Sequence, residues 1–316
     1  MLRKSYVTFL AAIMAAAPFV AVAADKPDWA FPVTDKVQPA NVKPDDGKAR
    51  SAPGSARTYT RKEVDDPFSI PDWYPELHPP MPHIVAVGTP PGVRGCGSCH
   101  LPTGTGHDES AYVAGLPSAY FIRQMEDYKS GARKGSGSMA TIGQNITAEE
   151  IKAAADYFAS VKPRPWVRVV ETDTVPKTYV GPGNKRLAHP DGGVEPLGRR
   201  IIQIPEDEEI VLFRDPRKGF IAYVPKGSVA AGQKFVATGG EGKSVPCAIC
   251  HGATLQGIAD IPPLAGRTAN YIVRQLFMFQ SGERAGPHSP LMAQAVSKLA
   301  VDDMIDIAAY VASLDP

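Results

Sequence analysis

Two five-residue stretches decide how this chain folds: CGSCH at Cys96–His100 and CAICH at Cys247–His251. They hold all four cysteines of the 316-residue sequence. Each reads C-x-x-C-H, the spacing at which a porphyrin is attached covalently. Two thiols add to the two vinyl groups on one side of the ring, and cysteines three apart share a helical face. The histidine beside the second thiol then offers an imidazole nitrogen to the iron as one axial ligand. A zinc site or a redox dithiol explains one C-x-x-C at a time. Neither explains two copies, each followed by His, with no cysteine to spare. The expected cofactors are two covalently bound haem c groups, one on Cys96 and Cys99 and one on Cys247 and Cys250, with His100 and His251 as iron ligands.

The two motifs are 151 residues apart, and the same offset aligns YFIRQMEDYKSGAR (Tyr120–Arg133) with YIVRQLFMFQSGER (Tyr271–Arg284). Tyr, Arg, Gln, Ser, Gly and Arg recur in place. Beyond the second arginine the offset becomes 153, so Met139 meets Met292, Glu149-Glu150 meet Asp302-Asp303, and Tyr157 meets Tyr310. The chain encodes one unit twice. The repeat also sorts the methionines. Met125 aligns with Leu276 and holds an ordinary apolar position; Met278 aligns with Asp127. Met139 and Met292 align with each other, in Gly-, Ser- and Pro-rich segments expected to be loops, which suit ligand presentation. They are the expected sixth ligands, completing His/Met coordination. The rival histidines, His107 and His288, have no counterpart in the other copy, and His78, His83 and His189 read as exposed polar residues.

The remaining composition bounds the protein. Arg3 and Lys4, an apolar run to Val20 and the small residues Ala21-Val22-Ala23 form a secretory signal with cleavage after residue 23, which places the mature chain in the periplasm. No other long uncharged apolar run exists, so no membrane span is expected after cleavage. Removing Arg3 and Lys4 takes the formal net charge from +1 to −1, and no basic run stands out, which argues against a nucleic-acid partner. Residues 24–93 contain 13 prolines and the repeated PDW at Pro27 and Pro71, a composition for extended structure. Residues 162–227 alternate apolar runs (WVRVVE, RRIIQIP, EEIVLF, GFIAYVP) with Gly/Pro clusters and read as short strands. TAEEIKAAADYFASV begins with a capping box, Thr147 and Glu150, and puts Ile151, Ala154, Ala155 and Phe158 on one face. The matching helix in the second copy starts at Ala300, a weaker cap.

In this order (C-x-x-C-H, Y-x-x-R-Q, S-G-x-R, a downstream Met and a terminal helix) the residues resemble class I cytochromes c. Two units in one exported chain resemble the tandem dihaem cytochromes of the c4 type. The second copy is the closer match, and the resemblance covers about residues 94–161 and 228–315. It implies a mainly α fold of two haem domains, here with a Pro-rich extension and a small β-rich insert between them. The expected organisation is a signal peptide at 1–23, extension at 24–93, first haem domain at 94–161, insert at 162–227 and second haem domain at 228–316. It also implies that a proline carbonyl, from Pro262 or Pro263, accepts the His251 Nδ1–H. The first copy departs, with Ala111 and Tyr112 there.

The expected function is periplasmic electron transfer without catalysis. The expected partners are redox proteins: a donor dehydrogenase or quinol-oxidising complex and an acceptor oxidase or reductase. Two alternatives stand beside it: a cytochrome subunit of a dehydrogenase or oxidase complex, and a dihaem peroxidase, which needs an iron that opens. The repeated arginines, Arg123 with Arg274 and Arg133 with Arg284, carry two readings. Arginine matches haem propionates bidentately, and arginine also makes ordinary surface salt bridges.

Overall fold

The computed structural model describes residues 26–31, 45–181 and 184–316. The segment read as a signal peptide lies outside the described residues. The fold is helix-rich. Helices α1 (Arg61–Asp65) and α2 (His83–Ala86) precede α3 (Gly97–His100), which carries the first motif, and α4 (Ser118–Ser130), α5 (Gly137–Asn145) and α6 (Ala148–Ser160) follow. After the insert, with its short α7 (Glu208–Leu212), come α8 (Ser228–Thr238), α9 (Ala248–His251), α10 (Ala269–Gln280), α11 (Pro290–Val296) and α12 (Val301–Ala312). The series α3–α6 and α9–α12 is the repeat made visible.

Each unit closes on its last helix. Helix α6 begins at the expected capping box: Thr147 Oγ1 accepts the Glu150 N–H, and Glu150 accepts the Thr147 N–H at 2.9 Å. Its face of Ile151, Ala154, Ala155 and Phe158 is buried against α4, and Phe158 stacks on Phe121 with centroids 5.9 Å apart. Burying one such phenylalanine contributes about 1.5–3 kcal/mol. Helix α12 has half a cap, since Ala300 has no side-chain acceptor but the Asp303 carboxylate takes its N–H at 2.8 Å. It packs across α8, where Gly232 allows the helices to touch. The first unit has no full counterpart of α8. Proline-rich chain leads into it and only the four-residue α2 forms there, with Ile84 and Val85 joining the first core.

The insert is built on a three-stranded sheet. Phe220–Val224 lies in the middle, antiparallel to Ile202–Pro205 and parallel to Val167–Glu171. One expected strand is absent: EEIVLF forms helix α7. Asp207 caps it by accepting the Ile210 N–H, and Glu208 and Glu209 lie in its first turn, where the helix dipole favours anions. Two further expectations change. Met139 and Met292 do not sit in loops but in the first turns of α5 and α11, because Ser136 caps one helix by accepting the Met139 N–H and Pro290 pre-sets the other. His78 is not exposed: its ring is buried between the Asp72 carboxylate, 3.1 Å away, and the Pro79 carbonyl.

The N-terminal extension is a strap. Phe31 packs edge-on against Phe277 in the second core, and the Ala30 carbonyl accepts from Arg274 at 2.8 Å. Residues 45–93 lie on the first unit and the insert: Trp73 donates to the Phe213 carbonyl at 2.8 Å, and Ile70 fills the space over Gly95 and Gly97.

Candidate haem-binding sites

Each C-x-x-C-H is a single helical turn that aims its histidine at its unit's core. His100 Nδ1 lies 2.8 Å from the Ala111 carbonyl, and His251 Nδ1 lies 2.9 Å from the Pro262 carbonyl. A carbonyl only accepts, so Nδ1 carries the proton in both rings and Nε2 keeps its lone pair. The acceptor in the second unit is Pro262, not Pro263. In the first, the alanine carbonyl does the same work, because the bond needs the backbone's direction and not the proline ring. Burial pushes both imidazoles below their usual range, so each is held neutral, the state that ligates a metal.

The loop that brings the acceptor round is the same in both copies. Gly106 donates to the His100 carbonyl and Gly257 to the His251 carbonyl, each at 2.9 Å. Gly115 donates to Phe158 and Gly266 to Val311, tying each loop to the closing helix. Cys96 and Met139 pack on the first core, and Cys247 and Met292 on the second.

The donor set fits covalent haem c. Burial pushes the Cys96 thiol up to about 12 and the Cys247 thiol up to about 11. A reactive thiolate at Cys96 or Cys247 needs the opposite shift. Among the described residues no group of three or more His, Cys, Asp or Glu is placed to hold a metal ion.

The four arginines singled out by the repeat form the joint between the units, in a pattern with approximate two-fold symmetry. Arg133 donates to Gln124 of its own unit and to Tyr271 and Gln275 of the other; Arg284 donates to Gln275 of its own unit and to Tyr120 and Gln124 of the other. Both are buried, and their backbones meet in an antiparallel bridge. Arg123 pairs with Asp260 at 2.9 Å and Arg274 with Glu109 at 3.2 Å, which are equivalent positions of the repeat. The surface-salt-bridge reading therefore fails for Arg133, Arg284 and Arg274, which lie inside the joint. Tyr120 and Gln124, with their repeats Tyr271 and Gln275, are further joint residues, and their identity in both copies of the repeat is the sequence signal for them.

The comparisons with known proteins agree with this geometry. A cytochrome c family model matches residues 229–315. Cytochrome c-554(548) of Halomonas halodenitrificans is 38% identical over 78 residues, covering 24% of this chain and 94% of that protein. The chain belongs to the cytochrome c family, whose members carry haem c covalently. Two longer relatives match about two thirds of the chain. Cytochrome c4 of Azotobacter vinelandii is 25% identical over 231 residues, 69% of this chain and 84% of that one. A thiosulfate dehydrogenase electron acceptor of Thiomonas intermedia is 24% identical over 233 residues, 67% of this chain and 82% of that one. Among the described residues no helix is long and apolar enough to cross a membrane.

Proposed function

We propose that this chain is an exported dihaem electron carrier that takes electrons from a periplasmic dehydrogenase or quinol-oxidising complex and hands them to an oxidase or reductase. Cys96 and Cys99 hold one haem c and Cys247 and Cys250 the other. His100 with Met139 and His251 with Met292 are the residues that would ligate the two irons. Haem bound in this way supplies one-electron iron redox chemistry. The residues of the chain position it: Ala111 and Pro262 orient the imidazoles, and the thioether sulfurs favour the reduced iron. The observation that carries the reading is the pair of neutral histidines, each with Nδ1 bonded to a backbone carbonyl, repeated with a methionine packed on the same core. With His100 and Met139 on one iron and His251 and Met292 on the other, neither iron would keep an open position for a substrate, which favours a carrier over a peroxidase. The relatives named as thiosulfate dehydrogenase electron acceptors support a dehydrogenase as donor.

The test is spectroscopic. A pyridine haemochrome assay is expected to give two haems per chain. Met139→Ala and Met292→Ala are each expected to remove about half of the Met–iron charge-transfer absorption and lower one of the two potentials. A single haem, or a high-spin iron in the untreated reduced protein, overturns the reading.

A further inference from the structure

The repeat allows the two units to be compared face by face, and they differ most around the C-x-x-C-H turns. In the second unit this face is open. Ile249 is 67% exposed, Ile258 54%, Val245 and Ile261 are exposed too, and Cys250, next to Ile249 in the chain, is also exposed. Ile258 and Ile261 form a β-bridge, and Ile258 lies against Gly252, the residue after His251 and three after Ile249. In the first unit the positions equivalent to Ile249 and Ile258 are Ser98 and His107, 5% and 8% exposed. There the whole stretch from Leu101 to Asp108 is buried. Leu101 is clustered with Trp166, Val211 and Phe220 of the insert, Trp166 donates to the Gly106 carbonyl at 3.0 Å, and the Arg186 N–H reaches Asp108.

The chain therefore covers with its own apolar side chains, on one unit, the face that it leaves bare on the other. Charges bordering the bare face are satisfied internally: Lys243 pairs with Asp303 at 2.8 Å, Asp260 with Arg123 at 2.9 Å and Glu241 with Lys234 at 3.8 Å. What such a face accepts is an apolar protein surface, as Trp166, Val211 and Phe220 of the insert are to the first unit, where the insert also brings in the buried Lys185.

We propose that redox partners dock on the Val245–Ile249–Ile258–Ile261 face of the second unit through an apolar, uncharged contact surface, and that the equivalent face of the first unit, roofed by the insert, receives no partner. Electrons then enter and leave the chain at the second unit, and the first exchanges through it. The inference rests on the dihaem reading, and its test separates the two. Haem content and the Met–iron absorption of each variant check that reading first. Electron self-exchange between oxidised and reduced holoprotein, followed by NMR line broadening, then uses a second copy of the chain as the docking probe. The wild-type rate is expected to change little with salt. Ile249→Lys together with Ile258→Lys is expected to slow exchange roughly tenfold or more at low salt, because like charges now meet at the contact, and salt is expected to restore it. Ser110→Lys, at the position equivalent to Ile261, is expected to leave the rate unchanged. An unchanged rate in the Ile249/Ile258 variant, or equal slowing by Ser110→Lys, overturns the proposal.

Discussion

Leu101 stands where the second unit has Gly252, and it adopts φ 60°, ψ 156°, beside 86° and 156° for the glycine. This region is open essentially to glycine alone and costs a side-chain-bearing residue about 1–3 kcal/mol. The strain persists because the leucine side chain is sealed beneath Trp166, Val211 and Phe220. Leu101→Ala keeps the strain and loses the anchor, so it is expected to cost the ~2–5 kcal/mol of a buried leucine. Leu101→Gly is expected to cost less than the alanine variant, a reversal of the usual order, and denaturant unfolding of the two proteins measures it. Lys185 is strained electrostatically instead. Burial, with Arg214 and Arg61 near it, pushes its ammonium down to about 8 from 10.5. The unfolded chain thus holds that proton more tightly, and the penalty of a buried charge is present in full below pH 8. Stability is expected to rise as pH increases from about 8 to 10.5, by up to about 3 kcal/mol from this residue. Lys185→Met is expected to flatten that rise and to be the more stable protein at pH 7, as thermal melts across the window report. Neither feature announces itself in the sequence: a leucine after C-x-x-C-H and a lysine in a loop look ordinary until the insert that carries the lysine folds over the leucine.

Among the helices, caps were legible and crossings were not. Thr147 with Glu150 marked the start of α6 because a capping box is written in four consecutive residues. EEIVLF was misread because its apolar run suits a strand as well as a helix, and the decision lay with the Asp207 cap. The α8–α12 crossing depends on Gly232, whose missing side chain admits the other helix. A Cβ there would stand 1.9 Å from the Asp306 carbonyl oxygen and 2.8 Å from Tyr310 Cβ. Backbone cannot yield as a side-chain tip does. Gly232→Ala is expected to destabilise the second unit by about 3 kcal/mol, at the upper end of overpacking costs, while the first unit, which has no such crossing, keeps its spectrum. Circular dichroism together with haem absorbance during one melt distinguishes the two.

Across the whole molecule the units are locked by a joint that reuses the repeat. Gln124 Oε1 and Gln275 Oε1 each accept from both Arg133 and Arg284. Removing one arginine leaves each glutamine a partner, whereas removing both strands two amides and two tyrosine hydroxyls. Arg133→Ala and Arg284→Ala are each expected to cost about 1–3 kcal/mol, and the double variant more than their sum. A double-mutant cycle in denaturant measures the excess, and simple additivity would show that the network is not a unit.

What the sequence by itself determined is local chemistry and its duplication. The cysteine spacing, the adjacent histidines, the paired methionines and the recurring Y-x-x-R-Q and S-G-x-R segments all lie within short stretches, where neighbours along the chain are neighbours in space. The tertiary structure alone decided which unit faces outward. That depends on contacts such as Trp166 with Gly106 and Trp73 with Phe213, which join residues 60 and 140 positions apart. Two copies of one unit share their local code, so the insert and residues 45–93, folded over the first unit, make the copies unequal.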